Sequence, residues 1–168
     1  MSSKAWKTAL FGLMTALAFV FSYLESLIPI NIGIPGIKLG LANLVVTAAL
    51  YLFPKGYAFS IACIRILLSG LTFSGVSAML FSLVGGLLSF AVMALLKKTD
   101  KFSVIGVSAA GGVFHNIGQI IAAAFVMKTA QIVYYLPVLM ISGVLTGVLI
   151  GILSNIIVKR LNRVIKND

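Results

Sequence analysis

Residues 133–158 read VYYLPVLMISGVLTGVLIGILSNIIV, a run that contains no charged side chain. A helix needs about 20 predominantly apolar residues to cross roughly 30 Å of hydrocarbon. Within that hydrocarbon every backbone polar group must find a partner in the protein, and an α-helix supplies these partners from its own backbone. The run therefore predicts a transmembrane helix.

Five further apolar runs precede this one. The predicted spans are 7–30, 39–53, 56–73, 76–96, 102–127 and 133–158. The second span is short, so we expect it either to begin earlier, near Pro35, or to be shielded by the other helices. Turn-forming residues and charges separate the spans. The chain is thus predicted to be one transmembrane domain, residues 1–168, of an all-α integral membrane protein with six transmembrane helices.

The composition agrees with a protein embedded in membrane lipid. Hydrophobic residues make up 61% of the chain and charged residues 10%. A soluble domain is about 25% charged, so this chain has too few charges to cover a water-facing surface. Soluble enzymes, secreted disulfide scaffolds and disordered tails are excluded. The single cysteine, Cys63, rules out a disulfide framework and a thiolate metal site.

The basic residues predict the orientation of the chain rather than a nucleic-acid partner, because they are dispersed between the spans. With the N-terminus inside, ten basic residues face the cytoplasm: Lys4, Lys7, Lys55, Lys97, Lys98, Lys101, Lys159, Arg160, Arg163 and Lys166. Only Lys38 and Lys128 lie outside. This bias follows the positive-inside rule and places both termini in the cytoplasm.

Arg65 is the clearest functional candidate, because it lies about 13 Å into the third span at 1.5 Å per residue. Ionisable groups at this depth are costly and usually mark function. A guanidinium keeps its charge, so it needs an anion or a wet cavity. The partner is either Glu25 in a buried pair or the carboxylate or phosphate of a ligand, which is also able to join an existing pair.

Other polar residues are expected to converge on the same part of the bundle. The candidates for ligand binding are Arg65, Glu25, Lys38, Asn43, His115, Asn116 and Gln119. Three of them follow Gly112 at spacings that place all four on one helix face. The charges of Glu25, Lys38 and Arg65 favour an anionic or zwitterionic ligand. His115 is either a proton-coupling group or a hydrogen-bonded structural residue. It has no second metal ligand at suitable spacing, so no metal site is expected.

Small residues at four-residue spacing mark places where helices approach closely. Gly143, Gly147 and Gly151 form one such stripe, which we expect to pack inside the bundle. Gly12 and Ala16 form another, and here a partner subunit is nearly as good an explanation as packing inside the bundle. The loop at 29–40, rich in proline and glycine, is either a lid over the outer mouth or an interfacial loop.

Three segments carry a resemblance to a known family. They are SYLESLIP at 22–29, PGIKLGLAN at 35–43 and GGVFHNIGQ at 111–119. These segments resemble the Gx transporter family, which is labelled heptaprenyl diphosphate synthase component I. With its six short helices and the opening ALFGLMTALA at 9–18, the chain is also similar to the substrate-binding S components of energy-coupling factor (ECF) transporters. The resemblance covers nearly the whole chain.

The resemblance implies an S-component-like bundle in the bacterial cytoplasmic membrane, with docking onto a shared coupling subunit. S components dock through an Ala-x-x-x-Ala face on the first helix, and the matching positions here are Gly12 and Ala16. Separate ATPase subunits are implied, and the chain has no phosphate-binding Gly-x-x-x-x-Gly-Lys-Ser/Thr loop of its own. No cofactor is expected.

Two functions follow as expectations. The first is the substrate-binding membrane component of an ECF transporter for a small anionic or amphipathic compound, resembling a vitamin or a prenyl or quinone precursor. The alternative is a non-catalytic accessory subunit of prenyl diphosphate or quinone synthesis, or of flavin- or quinone-linked electron transfer. Prenyl transfer itself needs paired aspartate-rich motifs to hold magnesium. The chain has two aspartates, Asp100 and Asp168, so we expect no enzyme activity.

Overall fold

A computed structural model describes residues 4–28 and 40–167, and in these residues it contains helices and turns but no strand. Five of the helices are long and apolar enough to cross a membrane. The elements are α1 (Lys4–Leu27), α2 (Leu41–Leu52), α3 (Lys55–Ser69) with a π-helical continuation (Gly70–Ser74), α4 (Val76–Lys98), α5 (Val104–Met127), a 3₁₀ turn (Gln131–Tyr135) and α6 (Leu136–Asn167). The all-α membrane bundle predicted from the sequence is confirmed.

The short second helix is the buried centre of the bundle. Residues 44–50 of α2 are all buried, and the helix packs against α1, α3 and α6. Its 12 residues extend about 18 Å at 1.5 Å per residue, less than the hydrocarbon thickness. A helix that is apolar on every side is stable when other helices surround it. Of the two explanations for its length, shielding is therefore observed, while the region of Pro35 lies outside the described residues.

Because α2 ends inside the bundle, its last carbonyl groups need partners from elsewhere. The Nζ atom of Lys97, at the end of α4, donates a hydrogen bond to the carbonyl oxygen of Leu50 at 2.5 Å. The same ammonium lies 5.0 Å from the ring centroid of Tyr51, within the range of a cation–π contact. This lysine therefore joins α4 to the buried end of α2.

Most of the predicted cytoplasmic charges gather at this end of the bundle. The ring of Phe11 in α1 packs on Tyr57 in α3, with centroids 5.8 Å apart. Leu161, near the end of α6, packs on the buried core that contains Leu50. The start of α1, the end of α2, the start of α3 and the ends of α4 and α6 are thus brought together.

Helices α5 and α6 touch through backbone rather than through large side chains. A Cβ atom added at Gly147 would lie 2.7 Å from the Cα atom of Ala109, and one at Gly151 would lie 2.7 Å from the Cα atom of Ile105. Gly143 faces Gly112 in the same way. The prediction that this stripe packs inside the bundle is confirmed.

A second face of α5 approaches α4 just as closely. A Cβ atom added at Gly118 would lie 2.7 Å from the Cα atom of Gly85. One added at Gly111 would lie 2.6 Å from the Sδ atom of Met93. Helix α5 is therefore held on two sides by glycine contacts, which fix the rotation of the face that carries its polar residues.

We predict that Gly147→Ala destabilises the protein, while Gly12→Ala does not. Both changes remove a glycine from a helix, but the new methyl group meets the backbone of α5 at position 147 and nothing within 4 Å at position 12. Overpacking of this kind costs roughly 1–3 kcal/mol. The free energy of unfolding, measured by SDS titration in mixed micelles, should fall for Gly147→Ala alone. Equal stability of the two variants would contradict the close packing.

Candidate functional site

A cavity of about 240 Å³ lies in the half of the bundle opposite the basic end. All six helices contribute to its lining. The lining residues are Ser22, Glu25, Ser26, Gly40, Ala42, Asn43, Arg65, Ser69, Phe73, Ser74, Ala78, Ser82, Gly112, His115, Asn116, Gln119 and Thr146. Twelve of these seventeen have polar or charged side chains, so the cavity is a polar site inside an apolar bundle.

Arg65 is buried in the wall of this cavity, with 9% of its surface exposed. Its Nη2 atom donates a hydrogen bond to the Oδ1 atom of Asn43 at 2.8 Å. Its Nε atom is buried and has no hydrogen-bond partner among the residues that the structure describes. Among residues 4–28 and 40–167, no carboxylate oxygen lies within 4.0 Å of the guanidinium. In the described residues Arg65 is therefore hydrogen-bonded to an amide on α2 and forms no salt bridge with Glu25, although the charge of Glu25 is close enough to interact with the guanidinium electrostatically.

Glu25 lies on the same cavity but has a different partner. Its Oε1 atom accepts a hydrogen bond from the backbone nitrogen of Gly40 at 2.5 Å. Gly40 has a positive φ of 75° and immediately precedes α2, so this bond ties the end of α1 to the start of α2. The carboxylate is held at the rim of the cavity, near the place where the chain enters the buried helix.

The polar face of α5 forms another wall. Gly112, His115, Asn116 and Gln119 all line the cavity, as their spacing predicts. The amide nitrogen of Asn116 donates to the carbonyl oxygen of Leu139 at 2.6 Å, which joins the face to α6. The polar face of α5 also packs closely on α4, because a Cβ atom added at Gly85 in α4 would lie 2.9 Å from the Cγ atom of Gln119.

Six of the seven predicted ligand-binding residues thus line one cavity. Lys38 lies in the segment 29–39, outside the described residues, as does most of the predicted lid. The structure brings together Arg65, Glu25, Asn43, His115, Asn116 and Gln119. These residues come from α1, α2, α3 and α5, so their convergence is a property of the folded bundle.

Sequence reasoning missed the hydroxyl groups of the cavity. They belong to Ser22, Ser26, Ser69, Ser74, Ser82 and Thr146. Ser22 and Ser69 donate to carbonyl oxygens of their own helices, at 2.9 and 3.1 Å, so that their lone pairs remain available as acceptors. A signal was present in the sequence, because Ser22 lies three residues before Glu25 and Ser69 four residues after Arg65.

The wall formed by the end of α3 has an irregular backbone. The segment Gly70–Ser74 is π-helical, and the nitrogen of Gly75 donates to the carbonyl oxygen of Gly70 at 3.1 Å. Phe73 in this segment lines the cavity, and the ring of Tyr23 packs on it with centroids 5.4 Å apart. Single π-helical turns are frequent at functional sites. The bulge places an aromatic side chain in an otherwise polar lining.

A smaller cavity of about 20 Å³ lies deeper between α2, α4, α5 and α6. It shares Asn43 and Thr146 with the main cavity and adds hydroxyl groups of Thr47, Ser89 and Ser108. A space of this size holds about one water molecule. In the described part of the chain no three His, Cys, Asp or Glu residues are grouped so as to hold a metal ion.

Comparison with known proteins gave one match. A family model described as heptaprenyl diphosphate synthase component I matches residues 14–157, which include every residue that lines the cavity. The resemblance to this family drawn from the sequence is therefore confirmed. Searches of curated proteins and of solved structures gave no match.

We predict that Asn43→Ala lowers the free energy of unfolding by about 1.5–3 kcal/mol, the usual contribution of a hydrogen bond to a charged group. The loss should be smaller when Arg65→Met is already present, because the amide then has no charge to bind. A double-mutant cycle measured by SDS titration tests this coupling. Additive effects of the two changes would show that the bond does not stabilise the bundle.

Proposed function

We propose that this chain, which belongs to the heptaprenyl diphosphate synthase component I family, is the substrate-binding membrane component of an ECF transporter. Its substrate would be a small anionic or amphipathic compound. The observation that carries the proposal is the buried guanidinium of Arg65 in the wall of a polar cavity, where its Nε atom has no hydrogen-bond partner in the described part of the chain. A charge in this position costs about 2.5–3.5 kcal/mol on insertion scales, and an anionic ligand offsets that cost.

In this proposal Arg65 binds the anionic group of the substrate. Its bond to Asn43 holds the guanidinium in one orientation, so that less freedom is lost when the ligand binds. Glu25, His115, Asn116 and Gln119 orient the rest of the molecule. Lys38 is proposed as a further ligand-binding residue on the basis of sequence alone.

The position of the cavity supports capture from outside the cell. Lys97 and the ends of α4 and α6 lie at the opposite end of the bundle. By the positive-inside rule that basic end faces the cytoplasm, and the cavity then lies in the outer half. Most of the groups that line it come from the outer ends of α1 and α3 and the outer starts of α2 and α4.

The first helix has a surface suited to docking on a coupling subunit. Gly12 and Ala16 are both exposed, and nothing lies within 4 Å of a Cβ atom added at Gly12. Leu13 and Leu17 beside them are 56% and 39% exposed. Small residues on an exposed helix face allow another transmembrane helix to approach closely. We propose that the transmembrane coupling subunit occupies this face and that separate ATPase subunits drive transport.

A second function is favoured by the description of the family, which names a component of a heptaprenyl diphosphate synthase. In that case the chain is a non-catalytic membrane subunit that serves prenyl diphosphate or quinone synthesis, or flavin- or quinone-linked electron transfer. A catalytic role in prenyl transfer is disfavoured because Asp100 and Asp168 do not provide the paired aspartate motifs that hold magnesium.

We predict that native mass spectrometry of the gently extracted protein detects a stoichiometric small molecule. This molecule should be lost from Arg65→Ala, because the mutation removes the cation that binds it. It should be retained by Lys55→Ala, which removes an exposed cation at the far end of the bundle. Equal occupancy in both variants would contradict the role of Arg65. An empty wild-type protein that retains a prenyl synthase subunit would favour the second function.

We also predict that Gly12→Leu combined with Ala16→Leu abolishes co-purification of the coupling subunit and ATPases from the native membrane. The added side chains would keep the partner helix at a distance without disturbing the packing of this chain. Ala91→Leu, on an exposed part of α4, is the matched control and should have no effect. An unchanged set of subunits in the double variant would show that docking occurs elsewhere.

A further inference from the structure

The cavity carries two opposite charges that interact electrostatically but, among the described residues, form no salt bridge with each other. Arg65 is bound to the amide of Asn43, and Glu25 is bound to the backbone nitrogen of Gly40. Within the described residues the guanidinium and the carboxylate are more than 4.0 Å apart. Each charge is thus held in place by a neutral group, although an ion of opposite sign lines the same cavity.

The neutral partners in the described residues use only some of the hydrogen-bonding atoms of each charged group. Within residues 4–28 and 40–167 the Nε atom of Arg65 has no hydrogen-bond partner. Among residues 4–28 and 40–167, the hydrogen bond to Glu25 uses one carboxylate oxygen, Oε1, and a carboxylate accepts through two oxygens. A hydrogen bond between ionised groups is about twice as strong as one between neutral groups. The two sites therefore match a ligand that brings a negative group to Arg65 and a positive group to Glu25.

The size and the lining of the cavity restrict that ligand further. The cavity has a volume of about 240 Å³. This lies below the range of about 300–1,000 Å³ that is typical of sites for drug-sized molecules. The lining is mostly hydroxyl, amide and charged groups, with Phe73 the largest apolar side chain. A long polyprenyl chain fits neither the volume nor the polarity.

We infer that the site binds a small zwitterion of the amino-acid type, with its carboxylate at Arg65 and its ammonium group at Glu25. This inference rests on the proposed binding function and specifies its substrate class. Glu25 acts as the specificity-determining residue, because its carboxylate favours binding of a zwitterion over an acid of the same size that lacks the ammonium group. The serine hydroxyls of the lining donate hydrogen bonds to the other polar atoms of the ligand or accept hydrogen bonds from them.

The test measures dissociation constants for the full chain in nanodiscs. The probes are the twenty L-amino acids and the ω-amino acids from β-alanine to 6-aminohexanoate. Each is compared with the amine and the acid that lack one of its charged groups. We expect at least one zwitterion to bind ten or more times tighter than both of its matched compounds. The chain length of the ω-amino acid that binds most tightly then reports the distance between the two charged sites.

Two variants test which charged group of the ligand each of the two protein charges binds. Glu25→Gln should weaken binding of the preferred zwitterion about tenfold and leave binding of the matched acid unchanged, whereas Arg65→Gln should weaken both. Asp100→Asn removes an equal charge from an exposed turn outside the cavity and should change neither.

The possible results separate the inference from the function on which it rests. The zwitterion inference is overturned if the wild-type protein binds an acid as tightly as the matched zwitterion. It is also overturned if Glu25→Gln weakens binding of the acid and of the zwitterion equally. In either case the protein still binds a ligand. Absence of binding by every probe also overturns the inference. The proposed function fails as well only if native mass spectrometry of the wild-type protein finds no bound small molecule.

Discussion

A guanidinium that keeps its charge at any ordinary pH lies within a bundle of apolar helices, and the arrangement around it follows from that constraint. The bond from Arg65 to Asn43 joins α3 to the buried helix α2. Since α2 is too short to span the bilayer and is enclosed by its neighbours, it brings a polar amide to a depth that lipid-facing helices rarely offer. The cation and the short helix therefore depend on each other. Arg65 and Asn43 both line the cavity, and among the described residues the Nε atom of Arg65 has no hydrogen-bond partner there.

Helices α4, α5 and α6 meet a second constraint, because they must be held together where the surrounding lipid is as apolar as they are. Glycines on α4, α5 and α6 let backbones approach to distances that no Cβ atom would allow. This packing fixes the rotation of α5, and with it the direction in which His115, Asn116 and Gln119 line the cavity. A rigid wall of this kind is what a selective binding site needs, because misplaced groups lose affinity. The wall contributed by α3 is instead irregular, with a π-helical turn that carries Phe73.

The family description and the cavity suggest different kinds of ligand. The description names a component of a prenyl diphosphate synthase, whereas the cavity is small, polar and charged. These features are compatible if the chain handles a small polar compound in the membrane beside machinery that makes or uses prenyl groups. Gly12 and Ala16 lie on an exposed helix face, and we propose that such machinery or a transport module docks there. The nature of the partner decides between the two functions, and the nature of the ligand decides the specificity.

The sequence alone determined the membrane class, the helices and the polar residues worth considering, because length, hydropathy and helical spacing are local properties. It also placed His115, Asn116 and Gln119 on one face and Gly143, Gly147 and Gly151 on another. Only the tertiary structure decided that Arg65 binds Asn43 rather than Glu25, that α2 is buried, and that six hydroxyl groups join the site. It also decided which helix the glycine stripe meets. These outcomes depend on distances between helices that are far apart in the chain, and no local pattern encodes such distances.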